Sequence, residues 1–217
     1  MTATLKTSFR ALRQLGLLAA ASAAAASIWA AGLPEEGYLL DARLWQEEVA
    51  AGGAAGAWPA DGWFRLRVAD RAIDVRAVTP QQPVERDADD ALYFRLPGVA
   101  LKTGTRVQYR HLNDIHEPQH GKQYELVLGK TRFGFTVGAD AQSVRYDIAY
   151  AGTTYSYRFA AGEGGSTRVQ AIADLDGDAM PDFLVQVDET TYLLLSTQAR
   201  PGMNPPTAEL WAAHDGC

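Results

Sequence analysis

The stretch "ADLDGDAMPDFLV" places Asp174, Asp176, Asp178 and Asp182 within nine residues. Carboxylates this close repel one another unless a cation sits among them. Binding a hard divalent cation is therefore the chemistry that suits the set. Calcium takes about six to eight oxygens at about 2.3–2.6 Å, and a short loop supplies them when alternate side chains turn inward. With Asp174 as position one, the carboxylates fall at positions one, three, five and nine, and position seven, Met180, offers its backbone carbonyl. The competing reading is an acidic turn between two strands, since Asp and Gly favour turns on their own account. The spacing favours the metal loop. The expected ligands are Asp174, Asp176, Asp178, Asp182 and the Met180 carbonyl, and the expected cofactor is Ca²⁺.

"IADLDGDAMPDFLVQV" resembles the calcium loops of FG-GAP and integrin-α-like repeats, written DxDxDGxxD with a strand after the last Asp. That resemblance implies the same ligand set. Two departures stand out. The repeats carry Gly at position six, where the backbone turns sharply, and this chain has Ala179. A non-Gly residue at positive φ costs about 1 kcal/mol. The repeats also build propellers from several copies, and the motif occurs once here. The resemblance therefore implies the calcium loop without the propeller. An EF-hand needs a bidentate Glu at position twelve, where this chain has Val185. The longer pattern of leader, β-rich body, late "DLDGD" loop and "LLLSTQARPG" tail resembles a group of exported bacterial proteins.

A second polar cluster is "HLNDIHEPQH", with His111, Asp114, His116 and His120. Imidazoles and a carboxylate can hold zinc or another transition metal. These offsets fit no such site, and a solvated loop between strands is the expectation. No GxSxG elbow is present for nucleophilic catalysis, and Ser143, Ser156, Ser166 and Ser196 have no histidine near them in sequence. "AGEGGS" is glycine-rich but lacks the Lys-Ser/Thr of a phosphate loop. Glycoside hydrolysis needs two carboxylates, and the sequence singles out no pair.

The elements that must position these residues are strands. From residue 63 apolar residues recur with period two, as in "WFRLRV" (63–68) and "AIDVRAV" (72–78), which predicts a hairpin. "ALYFRL" (91–96) and "TRVQYR" (105–110) continue the pattern. "QYELVL" (123–128) with "RFGFTV" (132–137), and "SVRYDIAY" (143–150) with "TYSYRF" (154–159), predict two more hairpins with short turns. The aromatic faces of 146–159 are expected in the core rather than in a sugar platform. "TRVQAIA" enters the acidic loop, "DFLVQV" leaves it and "TYLLLS" follows. "DARLWQEEVAA" (41–51) predicts a short helix capped by Asp41, and the proline-rich tail after residue 196 is expected to be irregular. The fold class expected is all-β, an antiparallel sandwich or barrel of about ten strands with little helix.

Lys6, Arg10 and Arg13 precede nineteen uncharged residues rich in Ala, with small residues at several possible cleavage sites. Residues 1–33 thus match a secretory signal peptide, with an uncleaved N-terminal anchor as the competing reading, since nineteen residues can just span a bilayer; 36–217 is then one β-rich domain. Cleavage removes three positive charges and moves the formal net charge from −6 to −9 (−6 − 3). An acidic mature domain is a poor partner for nucleic acid or anionic lipid, and no stable membrane insertion is expected once the leader is gone. The expected location is periplasmic or extracellular. Cys217 is the single cysteine, so no intrachain disulfide forms; an intermolecular one is disfavoured. Two function classes follow: a non-enzymatic binding or assembly domain with a protein or carbohydrate ligand, and an exported hydrolase in which calcium is purely structural. The first is preferred, because no catalytic set is visible.

Overall fold

The computed structural model describes residues 37–51, 58–69, 71–80 and 90–211. The leader and Cys217 lie outside the described residues, as does most of the polar loop before β4.

The first strand, β1 (Gly37–Asp41), leads into a helical turn, α1 (Ala42–Leu44), which widens into a π turn over Trp45–Ala50. Asp41 caps α1 as expected, its Oδ1 accepting the Leu44 N–H at 2.7 Å. Then come β2 (Trp63–Ala69), β3 (Ala72–Val78), β4 (Ala91–Arg95) and β5 (Gly104–Val107). The chain continues through β6 (Gln123–Leu128), β7 (Thr131–Ala139), β8 (Ser143–Tyr150) and β9 (Thr153–Ala160). It ends with β10 (Thr167–Ala173), β11 (Asp182–Val187), β12 (Thr190–Leu194), β13 (Gly202–Asn204) and β14 (Ala208–Leu210). Among the described residues no helix is long and apolar enough to cross a membrane.

The strands form two sheets. The larger has nine strands in the order β10-β11-β12-β14-β1-β4-β2-β3-β5, and the smaller has five in the order β13-β9-β8-β7-β6. The larger sheet curls until it nearly closes. Beyond β5 the chain meets β10 again, with Gln108 bridged to Ala173 and the Tyr109 N–H donating to Ile172 O (2.8 Å), while just before β5 the Lys102 N–H donates to Leu175 O (2.7 Å) in the loop after β10. Leu39, Leu66, Val75, Phe94, Leu184 and Leu193 fill the interior of this near-barrel.

The five-stranded sheet stacks on the outside of β10–β12. Its inward rows, including Phe135, Tyr146 and Phe159, pack with Ile172, Phe183, Val185 and Leu194 into a second core. The strands flanking the acidic loop are consequently buried on both faces. A strand buried on both faces has no polar side to show, which is why "DFLVQV" is nearly continuous in apolar residues.

The architecture is the expected all-β, non-propeller class, with three hairpins close to the predicted bounds. It departs in detail. Fourteen strands are present among the described residues, because β1, β13 and β14 are short and carry little periodicity. The tail is not irregular: β14 runs parallel to β1 and β13 parallel to β9, so two pairings break the antiparallel rule. β5 ends at Val107, short of the predicted 110, because Gln108 lies between Arg71 and Ala173 and the Tyr109 N–H turns to Ile172 O of β10.

Candidate metal centre

Ala173 and Asp182 are register partners at the ends of β10 and β11, so residues 174–181 form a loop that leaves and re-enters the sheet at one point. Both cores hold it down. Leu175 is buried in the near-barrel, and Met180 packs partly buried against the sandwich core. From the neighbouring sheet, Thr131 Oγ1 donates to Ala179 O (2.8 Å). A loop of this length, closed at both ends, has little choice but to turn alternate side chains toward its centre.

Asp182 is the buried pivot, 1 % exposed. Its Oδ2 accepts the Leu175 N–H (2.6 Å), and its Oδ1 accepts the Ser196 N–H (2.7 Å) and Oγ–H (2.9 Å). Asp174 Oδ1 accepts the Gly177 N–H (2.7 Å). Asp176 Oδ2 accepts from Thr197 Oγ1 (2.7 Å). Asp178 is exposed and accepts the Met180 N–H (2.7 Å) and the Ser196 hydroxyl (2.9 Å). One Ser196 proton therefore serves two carboxylates in turn.

Asp174, Asp176 and Asp182 each direct one oxygen into a group whose members all lie within 4.8 Å of one another. This group can hold a metal ion. It is the one set of three or more His, Cys, Asp or Glu gathered this way among the described residues. Asp178 stands at its edge, and Met180 reaches the loop's hydrogen bonds through its N–H.

Every donor to the four carboxylates is uncharged. No Lys, Arg or His forms an ion pair with them among the described residues. Burial pushes the Asp182 carboxyl well above the usual range, and the neighbouring Asp176 charge adds to this, against the pull of the Ser196 and Leu175 hydrogen bonds. Burial also raises Asp176, with Asp178 adding and the Thr197 hydroxyl opposing. No side-chain cation offsets the charge of this group among the described residues, and a metal ion held there would do so.

The backbone carries strain at the position the sequence flagged. Ala179 sits at φ +68° and Gly177 at φ +90°. A Cβ on Gly177 would come within 2.7 Å of Lys102 Cδ, a flexible side chain that can give way, so it is the positive φ that favours glycine there.

In the sequence Ser196 presents itself only as a nucleophile and Thr197 not at all, so neither is anticipated as a donor to the loop. The hairpin register holds the missing signal: Phe183 pairs with Leu194, so the residues just past β12 must lie beside Asp182. Two hydroxyls directly after a strand at that register are donors for the loop.

The histidine cluster does not assemble. His111 Nδ1 is 4.0 Å from Asp114 and both side chains are exposed. The His116 ring bonds Val169 O through Nδ1 (3.1 Å), while His120 bridges to Val137. The four serines hydrogen-bond to carboxylates instead of histidines: Ser143 to Asp140, Ser156 to Asp147, Ser166 to Asp188, and Ser196 as above. The glycine-rich "AGEGGS" is held by Asp188, which accepts the Gly162 and Ser166 N–H groups, both at 2.9 Å. Tyr146, Tyr157 and Phe159 are buried core, as expected of those faces.

No family model, curated protein or solved structure matches this chain.

Proposed function

We propose that this protein is an exported β-domain whose 174–182 loop binds one structural Ca²⁺, and that it acts in binding or assembly rather than catalysis. The carrying observation is the convergence of Asp174, Asp176 and Asp182 oxygens within 4.8 Å, in the order of residues that FG-GAP-like calcium loops use. Oxygen-only donors suit calcium or magnesium better than zinc or copper. Asp178 and the Met180 carbonyl complete the set in this reading, with water filling what remains. The ion neutralises the loop and fixes the junction of β10, β11 and the turn after β12. Export rests on the basic-then-apolar leader, and the partner is a protein or a carbohydrate.

Calcium titration followed by calorimetry and thermal melting tests the metal reading. An ion that binds only the folded state adds about 2.7 kcal/mol at 100 times its dissociation constant. In a domain of this size that raises the melting temperature by roughly 5–11 °C. Chelator should reverse the gain, and magnesium should give less of it, because it holds its water and demands a tighter octahedron. No heat of binding at millimolar calcium, together with a melt indifferent to chelator, would leave the loop an acidic turn.

A further inference from the structure

A cleft of about 510 Å³ opens where the near-barrel almost closes, and its chemistry is opposite to that of the acidic loop. Among the described residues its polar lining comes from Arg71, Gln108, Arg110, Asn113, His116 and Gln170, with no Asp or Glu. In a chain with formal charge −6, a cleft whose described charged lining is two arginines selects for anions. Neither Arg71 nor Arg110 forms an ion pair among the described residues. Their guanidinium forks are therefore available to a planar oxyanion, which they fit in bidentate fashion.

The lining is held in place by its own backbone. The Gln108 N–H donates to Arg71 O (3.1 Å), which ties two of its members together. The Val169 N–H donates to His116 O (2.9 Å), and the His116 ring returns a bond to Val169 O (3.1 Å). A carbonyl only accepts, so His116 Nδ1 donates this bond and Nε2 is the ring nitrogen left for a ligand. Gln170 is oriented by its amide nitrogen, which donates to Gln186 Oε1 at 3.3 Å.

Gln108 adds a separate clue. It is 2 % exposed, and its side-chain oxygen is buried with no hydrogen-bond partner. A buried unpaired amide atom costs about 1–3 kcal/mol, so a side chain that only packs would be apolar here. A flip of the amide plane exchanges its oxygen and nitrogen. A hydroxyl, which both donates and accepts, satisfies either orientation.

We propose that this cleft binds a small hydroxylated carboxylate, a sugar acid or hydroxy acid. Arg71 and Arg110 take the carboxylate, and Gln108 and the Nε2 of His116 take hydroxyls. The volume lies within the usual range of about 300–1,000 Å³ for small-molecule sites. The site uses none of the acidic-loop residues, so it stands or falls apart from calcium.

The probe is sodium glucuronate, titrated into the purified full chain by calorimetry. Saturable binding is expected, with glucose and acetate each weaker by about tenfold or more, since each lacks one half of the recognised chemistry. Inorganic phosphate should also be weaker. Arg71→Gln and Arg110→Gln should each cost about tenfold in affinity. Both side chains belong to exposed residues, so the fold survives their loss. Gln108→Leu should weaken glucuronate binding while leaving the melting temperature unchanged or higher. Arg132→Gln, outside this cleft, should change nothing. The proposal is overturned if glucuronate does not saturate, if glucose, acetate or phosphate binds as well, if the two arginine variants bind as wild type does, or if Arg132→Gln weakens binding equally.

Discussion

The loop 174–182 and the loop 111–120 are both rich in metal-ligating side chains, and the fold treats them in opposite ways. The acidic loop leaves the larger sheet at Ala173 and returns at its register partner Asp182, so its side chains converge. The histidine loop leaves the region of β5 in the larger sheet and arrives at β6 in the smaller one. A crossover of this kind spreads its side chains along a path. His116 is tied to β10 and His120 to β7, and His111 is left in solvent. Ligand type is thus a weaker guide to a metal site than the geometry of the connection that carries the ligands.

The sharpest way to break the comparison is Asp182→Ala. This carboxylate accepts the backbone N–H groups of Leu175 and Ser196 where water does not reach. Removing it strands two donors, at about 1–3 kcal/mol each. A loss of roughly 3–5 kcal/mol is expected by denaturant unfolding, together with loss of the calcium response. Stability near wild type would mean that the loop is not organised about Asp182. Asp176→Asn is the milder companion. It removes one ligand charge and relieves repulsion, so calcium affinity should fall while the calcium-free melt holds or rises.

Next in size is Ala179→Gly. At φ +68° alanine carries about 1–2 kcal/mol of strain. Glycine relieves this, and its freer unfolded chain takes back about 0.4–1 kcal/mol. The net expectation is a gain of about 0.5–1 kcal/mol in stability and tighter calcium binding, read by thermal melting and calorimetry. A destabilised variant would show that the turn owes its shape to contacts of the alanine methyl.

Much of this was legible in the sequence. The hairpins β6–β7 and β8–β9 announce themselves because each has one face in a core and the other largely open, so period two survives; β2–β3 keeps the alternation although Trp63 and Arg65 on its second face are buried too. The positive φ at position six was legible because a motif of that spacing demands it. The short strands β1, β13 and β14 were not. Three-residue strands such as β13 and β14 are too brief to show alternation, and their partners, β9 and β1, lie far off in the chain. The near-closure of the larger sheet was equally hidden, since it depends on Gln108 meeting Ala173 across the fold. Within the site, the carboxylates were visible and their hydroxyl donors were not. Ser196 and Thr197 become neighbours of the loop only through the register of β11 with β12.

The smallest expected effect falls on the histidine loop, and it tests the comparison from the other side. The His111 side chain is 71 % exposed and lies 4.0 Å from Asp114, a contact that adds little in water. His120 enters the fold through its bridge to Val137, which a change of side chain leaves in place. The double substitution of His111→Ala and His120→Ala should therefore shift stability by no more than about 0.5 kcal/mol, the usual range for surface changes. Its calcium response should equal that of wild type, because neither ring approaches the acidic group. Zinc is the discriminating probe, since imidazoles prefer it and the acidic loop's oxygens do not select it. If the loop stays spread, zinc should stabilise the wild type and the double variant to the same small extent. A zinc-induced rise in melting temperature that the double substitution abolishes would show that the histidines can gather after all. The crossover would then be no bar to a metal site, and connection geometry would lose its place as the deciding feature.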